Sequence, residues 1–571
     1  MNRRKVAILL ILAMLLSLVI IIVEVTPPSK ADIIYVPTNY PTIQEAINAA
    51  DPGDTVYVYS GTYNENVVVD KTINLTGENP DTTIIHGENT GPGIDVIADW
   101  VNITGFTVIG TSTHTKECIK LYDVQNCSIT NNNLSLNSWG IYLELSSNNI
   151  VNGNNISTTT GIHLESSDNN NVTNNKLTPI SRRWGIYIWY STNNTLTGNE
   201  IAPGGVYILG DQLSHYNSHN IPLNNKINGE LLYYYKDESG LNIDDIPVGQ
   251  IILANCSDMN IKNLEINKTV FGIHIAYSIN ISIKGNNISD NFAGIVLINS
   301  YECDIIGNYV SFAHSGILLL YSSNSNIWGN NVSIQAHGIN LDRSSNNSIK
   351  DNNVSYCGFG IDPSQSSDNS IEGNIAYRNN WGIRLRECSN NTVKDNNASW
   401  NENGILFRES NNNIIKSNNI ISSYIKGIII ESSSNNRIYH NNIINNTNQA
   451  YDDGDDNFWD DGYPSGGNYW SDLDEASEGA YDDFKGPDQN VLGGDGIVDN
   501  GTGAGGGKNP YMIDFDSQDN YPLMESFERR PPPLLPPILY INVSSNGKDI
   551  ILNWEPQTIQ DFDPYLIYRS T

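Results

Sequence analysis

A glycine followed by isoleucine returns at Gly272, Gly294, Gly316, Gly338, Gly360, Gly382 and Gly404, always after 22 residues, and then at Gly427 after 23. Looser copies of the frame carry Gly140, Gly161, Gly185 and Gly205 at intervals of 20 to 24, and Cys118 holds the glycine position one period before Gly140. A second column runs in step: Asn286, Asn308, Asn330, Asn352, Asn374, Asn396, Asn418 and Asn441. A fixed period of this size marks a solenoid. In Gly272–Ser278, Gly316–Ser322 and Gly382–Cys388 the residues one and three after glycine are apolar, while those two and four after are mixed. Strand alternation turns the first pair inward and the second pair outward. One period then makes one coil of about three short strands, with stacked asparagines bonding from coil to coil at a turn. The predicted fold is all-β: a right-handed parallel β-helix solenoid of ~22-residue rungs, with an N-terminal helical cap and an acidic C-terminal cap.

A solenoid needs no single globular core, so 571 residues do not imply several compact domains. The formal charge of −32, from 63 acids against 31 bases, argues against a nucleic-acid partner, whose phosphates require basic surface. Half of that excess lies in residues 451–520, where 18 acids face only Lys485 and Lys508. At the other end, Arg3, Arg4 and Lys5 precede an apolar run from Val6 to Val23, and Ser29-Lys30-Ala31 fits a cleavage site. This reads as an export signal, or as an uncleaved anchor that would be the chain's only membrane contact. The six cysteines share no column with a neighbour one rung away, so free buried thiols are expected in place of bridges.

After Ile33-Ile34-Tyr35-Val36, a short helix is expected from Pro41 to Ile47, opened by Thr42 and Glu45 as a capping box. The segment Thr42–Val67 resembles the entry of pectin-lyase-like β-helix proteins, and in particular of the NosD-like family grouped with carbohydrate-binding proteins and sugar hydrolases. Blocks 227–240 and 250–266, and the Trp- and Asp-rich stretch 457–524, are also similar to that family. The division expected is a signal at 1–31, a β-helix over 32–446 with an insert near 206–258, and an acidic Gly/Asp/Trp-rich terminal segment at 447–525. A Pro-rich linker at 526–537 and an incomplete module at 538–571 follow, the latter resembling the opening strands of a fibronectin type III domain, with Trp554 and Tyr568 as core aromatics. The insert is expected to bulge as a loop or hairpin, with Tyr233, Tyr234 and Tyr235 either forming a binding face or covering core.

The outward positions two and four after each glycine form two stripes. On four consecutive rungs they gather Asn340, Asp342, Asp362, Arg384, Arg386 and Arg408. Paired carboxylates suit acid/base work on a sugar and arginine forks suit a uronate, so Asp342 and Asp362 are the candidate catalytic acids and all six residues the candidate carbohydrate-binding set. A self-neutralising salt-bridge ladder is the alternative. Gly360-Ile361-Asp362-Pro363 resembles the active-site motif of mannuronan C5-epimerases, but Ser364 and Gln365 stand where that motif has His and a second acid. Asn340-Leu341-Asp342 with Arg384-Leu385-Arg386 is similar to fragments of the polygalacturonase signature without its Gly-His-Gly. NosD itself serves in maturing a copper enzyme, yet the nine histidines are scattered, and copper handling favours clustered His, Cys or Met. Calcium suits the residues better than copper, at Asp495 and Asp499 on glycine-rich loops, and stands against the reading of a merely solvated acidic tail, so no cofactor is certain from the sequence. Asn-x-Ser/Thr sites such as Asn155, Asn171 and Asn287 admit glycans in an exported chain. The function expected is an exported cell-surface protein that binds polysaccharide or cell-envelope glycan without catalysis. A uronate lyase, C5-epimerase or hydrolase, and a NosD-like accessory factor for an exported metalloenzyme, are the alternatives.

Overall fold

The computed structural model describes residues 31–87, 91–110, 117–180, 184–499, 507–527, 542–545 and 550–553. The expected signal and Pro-rich linker fall outside these residues except for Ala31, Ser526 and Phe527, as does most of the fibronectin-like module, of which only the antiparallel pair Asn542–Ser545 and Ile550–Asn553 is described. Among the described residues no helix is long and apolar enough to cross a membrane. The chain forms two units, one holding residues 31–236 with 247–254 and 268–271, the other holding 237–246, 255–267 and the residues from 272 onward. Each is a coil of right-handed parallel β-helix, with strands stacked on three faces.

In the first unit, one face begins with Ile33–Val36 paired in parallel to Thr55–Val58 and continues through six further strands to Thr195–Thr197. Another face runs from Val67–Val69 to Gly205–Leu209. The predicted helix spans Ile43–Ala49; the Thr42 hydroxyl accepts from the Glu45 N–H at 3.2 Å, and Ile43, Ala46 and Ile47 are fully buried against the first strands. The insert is narrower than its sequence suggests. Gly205–Leu209 still pairs in parallel with Trp184–Trp189, and the chain then folds back at Asn228-Gly229 into a hairpin joining Lys226–Ile227 to Glu230–Lys236. Gln250–Ala254 returns to parallel pairing beside Leu232–Lys236. Leu232 takes the core position; the three tyrosines after it are half-buried, and the Tyr234 hydroxyl donates to the Tyr216 carbonyl at 2.6 Å.

In the second unit, ten three-residue strands from Asn242–Asp244 to Arg437–Tyr439 make the first face. The second face carries strands such as Asn353–Ser355, and the third carries the six-residue strands that include the repeated glycine, such as Phe359–Ser364 and Trp381–Arg386. Glycine recurs because the coils touch there: a Cβ on Gly316 would lie 2.4 Å from Val332 Cγ1 and 2.6 Å from the Gly338 carbonyl oxygen. The asparagine column is a continuous hydrogen-bonded ladder. Asn352 Oδ1 accepts from Asn330 N and Nδ2 at 2.9 and 3.0 Å, while its own Nδ2 donates to the Ile327 carbonyl and to Asn374 Oδ1 at 2.8 and 2.9 Å. Buried turn amides are thus satisfied without water. Parallel pairing continues past Asn446: Asn448–Asp452 joins Lys426–Glu431, and Tyr469–Trp470 joins Asn442–Ile443. Trp459 and Trp470 are fully buried with ring centroids 5.9 Å apart, and Asn468 extends the ladder by accepting from Asn441.

Candidate functional site

The uniform register of the second unit decides where the six predicted site residues lie. On the third face Asn340 is opposite Asp362, and Arg384 is opposite Leu406. In the parallel column Asp342, Ser364, Arg386, Arg408 and Glu431 stand side by side on successive strands. All six side chains therefore leave the same face, while Ile339, Leu341, Ile383 and Leu385 fill the core behind it. Pro363 introduces no bulge; Ile361 and Ser364 keep the same register to Ile383 and Arg386 on either side of it.

The centre of the cluster is closed to solvent. Asp362 points outward yet is 0% exposed, because neighbouring side chains roof it. Arg384 donates through Nε to Oδ1 and through NH2 to Oδ2, each at 2.8 Å, in the planar fork that suits a carboxylate. His337 Nδ1 donates to Oδ2 at 3.0 Å. Arg386 Nε, at 3.8 Å from Oδ1, adds charge without a hydrogen bond. Burial pushes the Asp362 carboxyl upward, but the bonds from His337 and Arg384 and the charges of both arginines outweigh it and hold the group below its usual range. The roof is itself a pile of flat groups. The Arg384 guanidinium lies 3.5 Å from the Phe359 ring centroid, Phe359 stacks on His337 at 4.8 Å, His337 lies 5.8 Å from His314, and His314 stacks on Phe292 at 5.2 Å.

The structure thus brings Asp362, Arg384 and Arg386 together and leaves the others as neighbours. Arg408 turns away to Glu431, with Nε and NH2 at 2.8 and 2.5 Å from its Oε2. The Arg386 and Arg408 side chains remain 38% and 48% exposed. Sequence reasoning missed His337 and Phe359, although both stand directly before a repeat glycine, where a column of rings was visible in Trp139, Trp184, Phe271 and Trp381.

In the first unit the corresponding stripe is a ladder of stacked rings. Tyr142 stacks on His163 at 4.8 Å, His163 on Tyr187 at 4.5 Å, and Tyr187 on Tyr207 at 4.7 Å. The Tyr142 hydroxyl donates to Glu165 at 2.5 Å, and Lys120 pairs with Glu144 at 2.8 Å. Burial pushes His163 down to about 3, so its imidazole is neutral at physiological pH. Rings stacked this way show solvent their edges and keep their faces for one another.

The calcium expectation meets carboxylates that are already engaged. Asp499 accepts from the N–H groups of Asp483 and Phe484 at 2.7 and 3.1 Å, and Asp495 accepts from Gly486 N and Gln489 Nε2, both at 3.1 Å, and from Ile497 N at 3.2 Å. They tie loops, and among the described residues no group of three or more His, Cys, Asp or Glu is placed to hold a metal ion. All six cysteines are free and buried, and burial raises the thiols of Cys118, Cys303 and Cys357 to about 12.

Among solved structures, the chain is similar to the Azotobacter vinelandii mannuronan C-5 epimerase A-module at 13% identity and a TM-score of 0.26, over 71% of this chain and 86% of that one. It is similar to the periplasmic alginate epimerase AlgG at 13% identity and a TM-score of 0.28, over 64% and 75%. With an alginate lyase from Paenibacillus sp. the figures are 14%, 0.23, 55% and 94%. At these scores the likenesses carry no argument about chemistry. No curated protein matches the chain. The family model described as "Periplasmic copper-binding protein (NosD)" matches residues 47–244, 216–381 and 364–475, the same stretches in which the coil, the hairpin and the stacked ladders have been described, and the chain belongs to this NosD family.

Proposed function

We propose that this is an exported β-helix protein that binds polysaccharide along the third face of its second unit, without catalysis of its own. The enclosure of Asp362 carries this reading. A general acid or base must reach its substrate and exchange a proton, whereas both Asp362 oxygens are occupied by Arg384 and His337 in a site closed to solvent. What remains at the surface is a hydrogen-bonding stripe, Asn340, Asp342, Ser364, Arg386 and Arg408, with exposed guanidinium groups suited to the carboxylates of a uronate polymer. The family description, periplasmic, supports export.

The same description names copper, and the residues present do not fit it. Copper sites draw on clustered imidazole, thiolate or thioether donors. Here the thiols are buried and resist ionisation, and among the described residues no group of three or more His, Cys, Asp or Glu is placed to hold a metal ion.

The test is a glycan array probed with the full chain, followed by calorimetry with polygalacturonate. Changing Arg386 and Arg408 together to Ala should remove charge-assisted bonds worth roughly 1.5–3 kcal/mol, weakening binding about tenfold or more. Bond cleavage or epimerisation of uronate polymers by the unmodified chain, lost in Asp362→Asn, would replace this reading with the enzymatic one.

A further inference from the structure

The corner between the second and third faces of the second unit is built at every rung by one residue in the left-handed region. Asp290, Ser422 and Asn445 fill it with φ of 55°, 54° and 52°. Between them five successive rungs use bulky residues in the same conformation: Phe312 (53°), Ile334 (60°), Tyr356 (56°), Arg378 (53°) and Trp400 (57°). Small polar residues make this corner at lower cost, and a branched or aromatic residue there is strained, so the turn itself does not call for these side chains. Nor does the core, because Phe312 is 54% and Trp400 45% exposed, with Tyr424 beside Trp400 at 58%. The rings stand at angles instead of closing on one another. Tyr356 meets Tyr377 at 84°, Trp400 meets Tyr424 at 61°, and the Arg378 guanidinium lies 5.3 Å from the Tyr377 centroid. In a chain with a net charge of −32, none of the five corner positions is acidic and one is arginine.

We propose that this ridge is a second contact surface for a linear glycan, laid along successive rungs with the apolar faces of its pyranose rings on Phe312, Tyr356 and Trp400 and with Arg378 reaching a hydroxyl or carboxylate. The proposal rests on the glycan-binding reading of the chain but places contact on different residues. Two features select this occupant. Its aromatic members, Phe312, Tyr356 and Trp400, recur at every second rung, roughly 9.6 Å apart, which matches a polymer that repeats one chemistry along its length. Its acid-free, arginine-bearing course is also the complement of a neutral or anionic chain that the rest of this acidic surface would repel.

The experiment replaces Phe312 and Trp400 together with Asn, the residue found at this corner as Asn445. Binding of polygalacturonate and of dextran is measured by calorimetry, unfolding temperature by calorimetric scanning, and association state by sedimentation, with Arg386→Ala/Arg408→Ala in parallel. The expected result is at least tenfold weaker binding of whichever polymer the unmodified chain takes, with an unchanged or raised unfolding temperature, because strain is relieved. Unaltered glycan binding in the Asn variant, alongside weakened binding in the arginine variant, overturns the ridge and leaves the proposed function standing. A lowered unfolding temperature overturns it by making the rings structural. Dimers of the unmodified chain that the Asn variant disperses overturn it in favour of self-association. If neither polymer binds the unmodified chain, the ridge proposal falls for both probes, and an array on which no glycan binds removes the functional reading as well.

Discussion

Asp362 ties the electrostatics of its face to the stability of the coil. A buried carboxylate is tolerated only while its partners stay, so Arg384→Ala should cost about 3–5 kcal/mol by stranding the charge. Asp362→Ala combined with Arg384→Ala should cost clearly less than Arg384→Ala alone, which urea unfolding of the two variants beside the unmodified chain would measure. The same group sets an acid limit. Its folded pKa lies below the ordinary value, so its contribution is whole above pH ~3.9 and is lost as pH falls through the depressed folded value. The sequence placed Asp362, Arg384 and Arg386 on one face because a 22-residue frame fixes the direction of each Cβ. It did not reveal the roof, because Cβ direction leaves open where a long guanidinium comes to rest. Nor did it distinguish Arg408, whose fork is claimed by Glu431 one strand further on.

At the scale of the turn, the asparagine ladder is the feature most nearly legible in advance, since its column stood out by spacing alone and each member has one geometry to satisfy. Asn352→Ala would strand the Asn330 N–H, the Ile327 carbonyl and one lone pair of Asn374 Oδ1 in a buried turn. At ~1–3 kcal/mol for each unmet group the loss should reach about 3 kcal/mol or more, and thermal unfolding would show it. A smaller loss than for any single core Ile→Val change would contradict the structural role given to the ladder. Elements that break the frame were harder to read. Residues 206–258 lack the glycine-isoleucine signature, so the parallel strand Gln250–Ala254 was hidden inside the insert. Past Asn446 the ladder chemistry continues only at Asn468 and, in the parallel asparagine column, at Asn457 among the described residues, and the strand pairing of Tyr469–Trp470 is carried by a stretch whose composition reads as loop.

On the scale of the whole molecule, a buried carboxyl is among the groups that join the acidic C-terminal stretch to the coil. Asp519 accepts from Asn468 N at 2.7 Å and from Trp470 Nε1 at 2.9 Å, and burial raises its pKa to about 7. Folding therefore takes up a proton here: the contribution is whole below pH ~4 and is lost as pH rises through about 7. The Trp-detected unfolding temperature should fall between pH 6 and pH 8, and Asp519→Asn should flatten that slope; an equal slope in the variant would show that another group is responsible. The ladder has a further meaning when viewed through heredity. Asn330, Asn352 and Asn374 occupy equivalent places with equivalent partners 22 residues apart, so a slipped or unequal exchange of DNA that adds or removes one full repeat returns every strand to a matching neighbour. A gene of this kind can change the number of its rungs in single mutational steps without inventing a new fold, and the length of each face of the coil is then set by copy number.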